Sequence, residues 1–268
     1  MVNAKILVGC PIYDKSEYCF DEFLKAVRAF DYDNFDILII DNSRDKDFYN
    51  RKLKDLKDVT AIYLNLKEEK NLKRLALTRN EIINYFLGKD YEYLLMMDSD
   101  VIAPPYIIKE LLLQDKDIIS GLYFNYFVKN GKNILLPVAW RTIEEREFEM
   151  LKKANKVPYG CSSKEDIRVH LDSAEYSSNR VFEVIMPSAG CMLVKRTVLE
   201  KGIRYGVLNK DEIRNAKKST SDDVYFMREV FKNVFKAYCH TGIKCKHLLL
   251  GKYRKDEEKN EMSHPLYK

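Results

Sequence analysis

No run in the sequence approaches the ~20 consecutive apolar residues that a membrane-spanning helix needs. The opening stretch, Met1 to Gly9, is too short for the charged and apolar regions of a secretory signal. Cysteine is scattered: Cys10, Cys19, Cys161, Cys191, Cys239 and Cys245 contain no C-x-x-C pair. This spacing argues against a zinc cluster and for reduced, mostly packed thiols, so a cytoplasmic location is expected. Strong charge of one sign is also missing. A net +5 on 268 residues suits an anionic ligand or a membrane surface without requiring nucleic acid, and no nucleic-acid partner is expected. Internal repeats and long linkers are absent, so residues 1–268 are expected to form one domain.

What is present describes a soluble globular chain, with 46% apolar and 32% charged residues. The first hundred residues alternate between strand and helix patterns. Strands are expected at Ile6–Gly9, Asp36–Asp41, Val59–Leu64 and Tyr93–Met97. Amphipathic helices are expected after Ser16 (Phe20, Phe23, Leu24, Val27, Phe30) and over Leu72–Leu87, stopped by Gly88. That order implies an α/β fold with a doubly wound, largely parallel sheet. Further on, the expected strands are Asp117–Phe127, Val181–Met186, Cys191–Val194, Phe235–Cys239 and Ile243–His247, with helices at Glu144–Lys153 and Val224–Asn233. Residues 128–180 are otherwise poorly patterned, and the charged tail 251–268 is expected to be mobile.

One stretch concentrates chemistry. The apolar run Tyr93–Met97 stops at Asp98, Ser99 and Asp100, and Pro104–Pro105 then closes the strand. A buried strand thus delivers two carboxylates to its C-terminal tip, where open α/β sheets bind ligands. Asp-x-Asp there offers hard oxygens to a divalent cation and, through it, to a diphosphate. An ordinary solvated turn explains the tripeptide equally well.

Several ordered landmarks carry a resemblance: ILVGCPIYD, ILIIDNSRD, RLALTRNEII running into YLLMMDSDVIAPP, then SAGCMLVKR, SDDVYFMREV and GIKCKHL. Together, from Ile6 to His247, they resemble the GT-A glycosyltransferases, particularly inverting family 2. The resemblance implies a three-layer Rossmann-like sandwich with a smaller second sheet, a nucleotide-sugar-binding half at 1–103 and an acceptor-binding half at 104–250. It implies a donor nucleotide, UDP- or GDP-linked, beside Pro11, Ile12 and Tyr13; Tyr13 either stacks on the base or merely packs. Asp41 would bind base or ribose, or else cap its turn. Arg79 would approach the nucleotide or brace the metal-binding acids, with a surface pairing as the alternative.

Asp98 would serve ribose and metal, Asp100 would be the stronger direct ligand, and His247 would complete a Mn2+ or Mg2+ site. Of the acid pair Asp222–Asp223, the second is the implied general base. Asp in place of the family's Glu at 222 puts that residue's acceptor role in doubt, and both acids also suit a helix N-terminus. Ala189 and Gly190 would let backbone approach the donor sugar, or form a plain tight hairpin. Trp140 is either a sugar platform or packing. Lys252 and Arg254 are candidates for a diphosphate lid. The acceptor is open: a glycan, a lipid-linked sugar with peripheral membrane contact, or a protein.

Other readings fit less well. A phosphohydrolase of the haloacid dehalogenase type places its Asp-x-Asp after the first strand, whereas three strands precede it here. A nucleotidylyltransferase wants a glycine-rich loop that CPIYDKSEY lacks. A non-catalytic binding module would not need Asp98, Asp100, Asp223 and His247 together.

Overall fold

The computed structural model describes residues 3–66, 69–129, 131–158, 161–164, 167–207 and 221–248. Its organising element is β1 (Ile6–Ile12), whose seven residues are all buried, as expected for a strand covered on both faces. β1 pairs in parallel with β2 (Phe35–Asp41) on one side and with β4 (Tyr93–Met97) on the other. β3 (Thr60–Tyr63) extends the parallel half beyond β2.

Side chains alternate across this sheet, and the helices follow that alternation. Ile6, Val8 and Cys10 face the layer of α1 (Glu17–Arg28) and α3 (Ile107–Leu113), with Phe20, Phe23, Ile107 and Leu111. Leu7, Leu94 and Met96 face α2 (Asn71–Leu87) through Ile82, Ile83 and Phe86. Gly9 permits that approach, because a Cβ there would lie 2.3 Å from the Ile82 side chain. The result is the three-layer α/β arrangement that the sequence implies.

Beyond β4 the sheet becomes mixed. β5 (Val101–Ile102) follows the Asp98 turn, and β6 (Ile118–Leu122) enters the main sheet. β7 (Phe124–Lys129) and β8 (Lys132–Pro137) form a hairpin; β9 (Trp140–Thr142) pairs with β10 (Arg168–His170) across α4 (Glu145–Lys153). After α5 (Ser173–Tyr176) come β11 (Val181–Val184), β12 (Cys191–Lys195), α6 (Arg196–Leu199), α7 (Asp222–Lys232), β13 (Ala237–Lys244) and β14 (Lys246–His247). The eight-stranded order is β11-β13-β6-β12-β4-β1-β2-β3, and three two-stranded ribbons, β9–β10, β5–β14 and β7–β8, supply the smaller sheets.

Three expectations need correction. The apolar run 117–127 is two strands broken at Tyr123, so β6 stays in the main sheet while β7 leaves it. Where two strands are expected at 235–239 and 243–247, β13 runs unbroken over Ala237–Lys244, because Thr241–Gly242 lies within a register shift, and His247 falls in the separate short β14. The described residues of 128–180 carry β8, β9, α4, β10 and α5, more regular structure than the composition suggests. Their first hairpin pairs Lys129 with Lys132, and Gly131 beside that pairing takes a positive φ of 73°. All six cysteines are free thiols and five are buried, and among the described residues no helix is long and apolar enough to cross a membrane.

Candidate active site

The order of strands reverses at β1, between β2 and β4, so their C-terminal ends open a crevice. Asp98 is the first residue past β4. Its amide donates to the Gly190 carbonyl (3.0 Å), and its own carbonyl accepts from Val101 (3.0 Å), closing a tight turn about Ser99. Asp100 leaves this turn. β5 pairs with β14, setting His247 opposite Val101, and the Leu248 amide donates to the Asp100 carbonyl at 2.7 Å.

The centre of the site is Arg79, on α2 and 2% exposed. Its Nη1 donates to Asp222 Oδ2 (2.7 Å) and Asp223 Oδ1 (2.5 Å), and its Nη2 donates to Asp98 Oδ1 (2.7 Å). Burial opposes its charge, but the three carboxylates hold the guanidinium firmly protonated. One cation thus ties the Asp98 turn to the start of α7, where Ser221 Oγ caps the helix by accepting from the Val224 amide (3.3 Å). With Ser221 as the cap, both aspartates are released for the charge cluster.

The two acids differ. Asp222 is buried against Arg79, so it positions that residue, and it lines neither of the two cavities described below. Asp223 lies at a cavity wall. Burial pushes its pKa up to about 7, assisted by Asp222 and Asp98 and opposed by Arg79. A carboxylate poised near neutrality is matched to proton abstraction.

Cation chemistry gathers on the other side of Asp98. His247 Nε2 lies 3.5 Å from Asp100 Oδ2, and its Nδ1 lies 3.2 Å from the Phe124 carbonyl. A backbone carbonyl at Nδ1 fixes the ring and directs Nε2 to Asp100, as in a histidine prepared to ligate. Burial pulls its pKa down, but Asp100 more than offsets this and the net shift is upward. Among the described residues, no three His, Cys, Asp or Glu side chains are grouped to hold an ion. Asp98 is not grouped with Asp100 and His247, and its Oδ1 accepts from Arg79. Asp100 and His247 are the adjacent donors of the described residues that would hold a divalent cation.

Two cavities flank the cluster. One, of about 300 Å³, is lined by Pro11, Ile12, Tyr13, Asn42, Arg74, Arg79, Asp98 and Asp100 among others. The second, of about 390 Å³, is lined by Trp140, Ala189, Asp223 and neighbours described below. Asp41 lies behind the first cavity. It is fully buried, and Ser43 donates to its Oδ1 through N (2.8 Å) and Oγ (2.5 Å), while Ser43 Oγ in turn accepts from the Asp14 amide (2.8 Å). Asp41 thereby shapes the loop that follows Tyr13. Lys252 and Arg254 lie outside the described residues.

Gly190 is needed at the junction for steric reasons. A Cβ there would lie 2.9 Å from Asp98 Oδ2 and 3.1 Å from the Tyr123 hydroxyl. Gly190→Ala is expected to displace Asp98, destabilising the fold by about 1–3 kcal/mol, as overpacking does. Denaturant unfolding measures that loss, and donor binding should weaken in parallel.

The sequence reading missed Arg74. It is 6% exposed, its Nε and Nη1 have no hydrogen-bond partner, and it lines the first cavity. The available signal was Asn71, Arg74 and Thr78, polar residues at helical spacing along α2. Buried donors without partners call for an acceptor, which a nucleotide supplies. Arg74→Ala is expected to raise the donor Kd about tenfold or more, as read by calorimetry, with Asp223 untouched.

Comparison with known proteins settles the family. The model for glycosyl transferase family 2 matches residues 8–202. The chain belongs to glycosyl transferase family 2. The matched stretch holds the Asp98 turn and Arg79 and stops short of Asp222, Asp223 and His247. No curated protein sequence matches the chain. Among solved structures the family fold recurs in a crystal structure of GalNAc-T7 with UDP, GalNAc and Mn2+, with a TM-score of 0.60 at 10% identity. The alignment covers 93% of this chain but only 44% of that protein.

Proposed function

We propose that this family 2 protein is a metal-dependent glycosyltransferase that moves a sugar from a nucleoside diphosphate, UDP or GDP, to an acceptor hydroxyl with inversion. The observation that carries the proposal is the pair of cavities separated by one guanidinium, with Asp98 and Asp100 lining one and Asp223 lining the other. A transfer between two substrates needs this division. The donor half (1–103) and acceptor half (104–250) meet at Arg79.

In the donor cavity Tyr13, 39% exposed, offers a ring to the base, and Arg74 offers unpaired donors. Asp98 and Ser99 hold the ribose side, while Asp100 and His247 would hold Mn2+ or Mg2+. A bound cation offsets the charge that gathers on the leaving diphosphate. Asp223 takes the proton of the acceptor hydroxyl as its oxygen attacks the anomeric carbon from the face opposite the leaving group. Arg79 and Asp222 fix where that carboxylate stands.

The test is a screen of UDP-, GDP- and dTDP-sugars for nucleotide release with and without Mn2+. Release from one donor class, dependent on Mn2+ and lost in Asp100→Asn and His247→Ala, is the expected result. Metal-independent release of phosphate from simple phosphomonoesters, with no response to any sugar nucleotide, would overturn the proposal.

A further inference from the structure

Resting on the transferase reading, we infer that the acceptor is a saccharide bearing a negatively charged group beside the ring that receives the sugar, and that Arg168 selects it. The cavity of about 390 Å³ on the Asp223 side carries the evidence. Among its described lining residues Arg168 is the one cation and Asp223 the one acid; the rest are largely apolar or aromatic, including Tyr123, Phe127 and Trp140. Such a lining, with few polar groups at defined points, is that of a specific ligand site.

Arg168 opens β10, opposite Thr142 of β9, and it is exposed. It makes no ion pair among the described residues. Its neighbour across the same ribbon behaves differently: Arg141 pairs with Glu175 at 2.5 Å and with Glu147 at 3.2 Å. Among the described residues, then, the acids of this ribbon go to Arg141, and Arg168 lines the cavity. The apolar surroundings lower the proton affinity of Arg168, yet a guanidinium keeps its charge at neutral pH. A planar fork of donors at an apolar wall suits a carboxylate or phosphate, which it can bind through two parallel hydrogen bonds.

The rest of the cavity suits a sugar ring. Trp140 is held edge-on by Phe127 (5.7 Å, 89°) and meets His170 at 4.6 Å, and its backbone exchanges hydrogen bonds with Ile185 and Met186. This fixes an aromatic surface for the C–H face of a ring, with a general base at one point of the lining and an anion receptor at another. A hydroxyl-bearing ring with an acidic substituent meets all three. The charge can come from a carboxylate on the ring or from a phosphate linking it onward to a lipid.

The experiment uses the full chain. Trp140 is the only tryptophan, so its emission reports occupancy of this cavity directly. Methyl glucoside, methyl glucuronide, glucose 1-phosphate, inorganic phosphate and an acidic serine peptide are titrated separately. The expected result is that at least one acidic sugar binds about ten- to a hundredfold more tightly than the neutral one, the range of a charge-assisted hydrogen bond. Arg168→Ala should remove that preference and Arg168→Lys should restore part of it. A phosphate-only gain indicates a phosphate-linked acceptor, and a carboxylate gain an acidic glycan. Equal affinity for neutral and acidic sugars in the unaltered chain overturns the inference. So does a preference that survives Arg168→Ala, or binding of phosphate or peptide as tight as that of the acidic sugars. Nucleotide release from UDP- or GDP-sugars is measured alongside: if it is present while the acidic preference is absent, only the acceptor inference fails, and if it is absent the transferase reading fails as well.

Discussion

Asp223→Asn is expected to lower turnover about 10²–10⁴-fold while leaving donor affinity near that of the unaltered chain. The asparagine keeps an oxygen for the Arg79 hydrogen bond at this position but cannot take a proton. Single-turnover sugar transfer and donor calorimetry separate the two quantities. The pH dependence follows from the pKa of about 7. Asp223 must be ionised to act, so the rate should climb as pH rises through about 7 and then level off. In Asp223→Asn that limb should vanish.

The same shift has a stability consequence of opposite sign. Unfolded, Asp223 loses its proton near the ordinary value of 3.8, whereas folded it holds the proton up to about 7. The folded state therefore binds more protons across that window, and stability falls as pH rises through it. Above it the cost of the ionised carboxylate is fully present. Asp223→Asn should consequently melt higher than the unaltered chain at pH 8, with the difference closing toward pH 4. A base that burdens its own fold is the expected exchange of stability for activity.

The second large effect concerns Arg79. Arg79→Met leaves Asp98, Asp222 and Asp223 around a cavity wall with no counter-charge, and breaking a buried pair from one side costs about 3–5 kcal/mol. For a chain of this size that lowers Tm by roughly 6–20 °C. The loss should shrink at pH 5, where Asp223 holds its proton. Adding Asp222→Asn should recover part of it, and a double-mutant cycle by thermal melting measures the coupling. If Arg79→Met melts like the unaltered chain at pH 8, Arg79 is not the hub described here. Arg79→Lys should fall between, because an ammonium cannot fork to both sides of the cluster.

The sequence showed residues 1–103 more clearly than the residues that follow, for physical reasons. Strands such as Ile6–Ile12 and Tyr93–Met97 are buried on both faces and read as apolar runs, and α2 carries its Ile82, Ile83 and Phe86 stripe at helical spacing. Further along, β9 and β10 have only three residues each, too few for a period to emerge. The 117–127 run hid a strand break because Tyr123 is as apolar in pattern as its neighbours.

The site divides similarly. Asp98, Asp100, Asp223 and His247 could be named from their landmarks, but their grouping could not. Arg79 reaches acids 19, 143 and 144 positions away, and no local pattern encodes such contacts. The resemblance implies both a metal role for Asp98 and a bracing role for Arg79, and in the structure Arg79 donates to Asp98 Oδ1. Trp140 gave no sign in the sequence of sharing a cavity with Asp223, since β9 reaches the 187–190 turn only through its pairing with Met186.

The most direct test of the central claim is a crystal structure with Mn2+ and UDP or GDP bound, with the ion located by its anomalous scattering. The account predicts the ion bonded to Asp100 and His247 and to the diphosphate, with the base in the cavity of Tyr13 and Arg74 and Asp223 facing the opposite cavity. An ion bound elsewhere, or a diphosphate lying away from the Asp98–Asp100 turn, would contradict it.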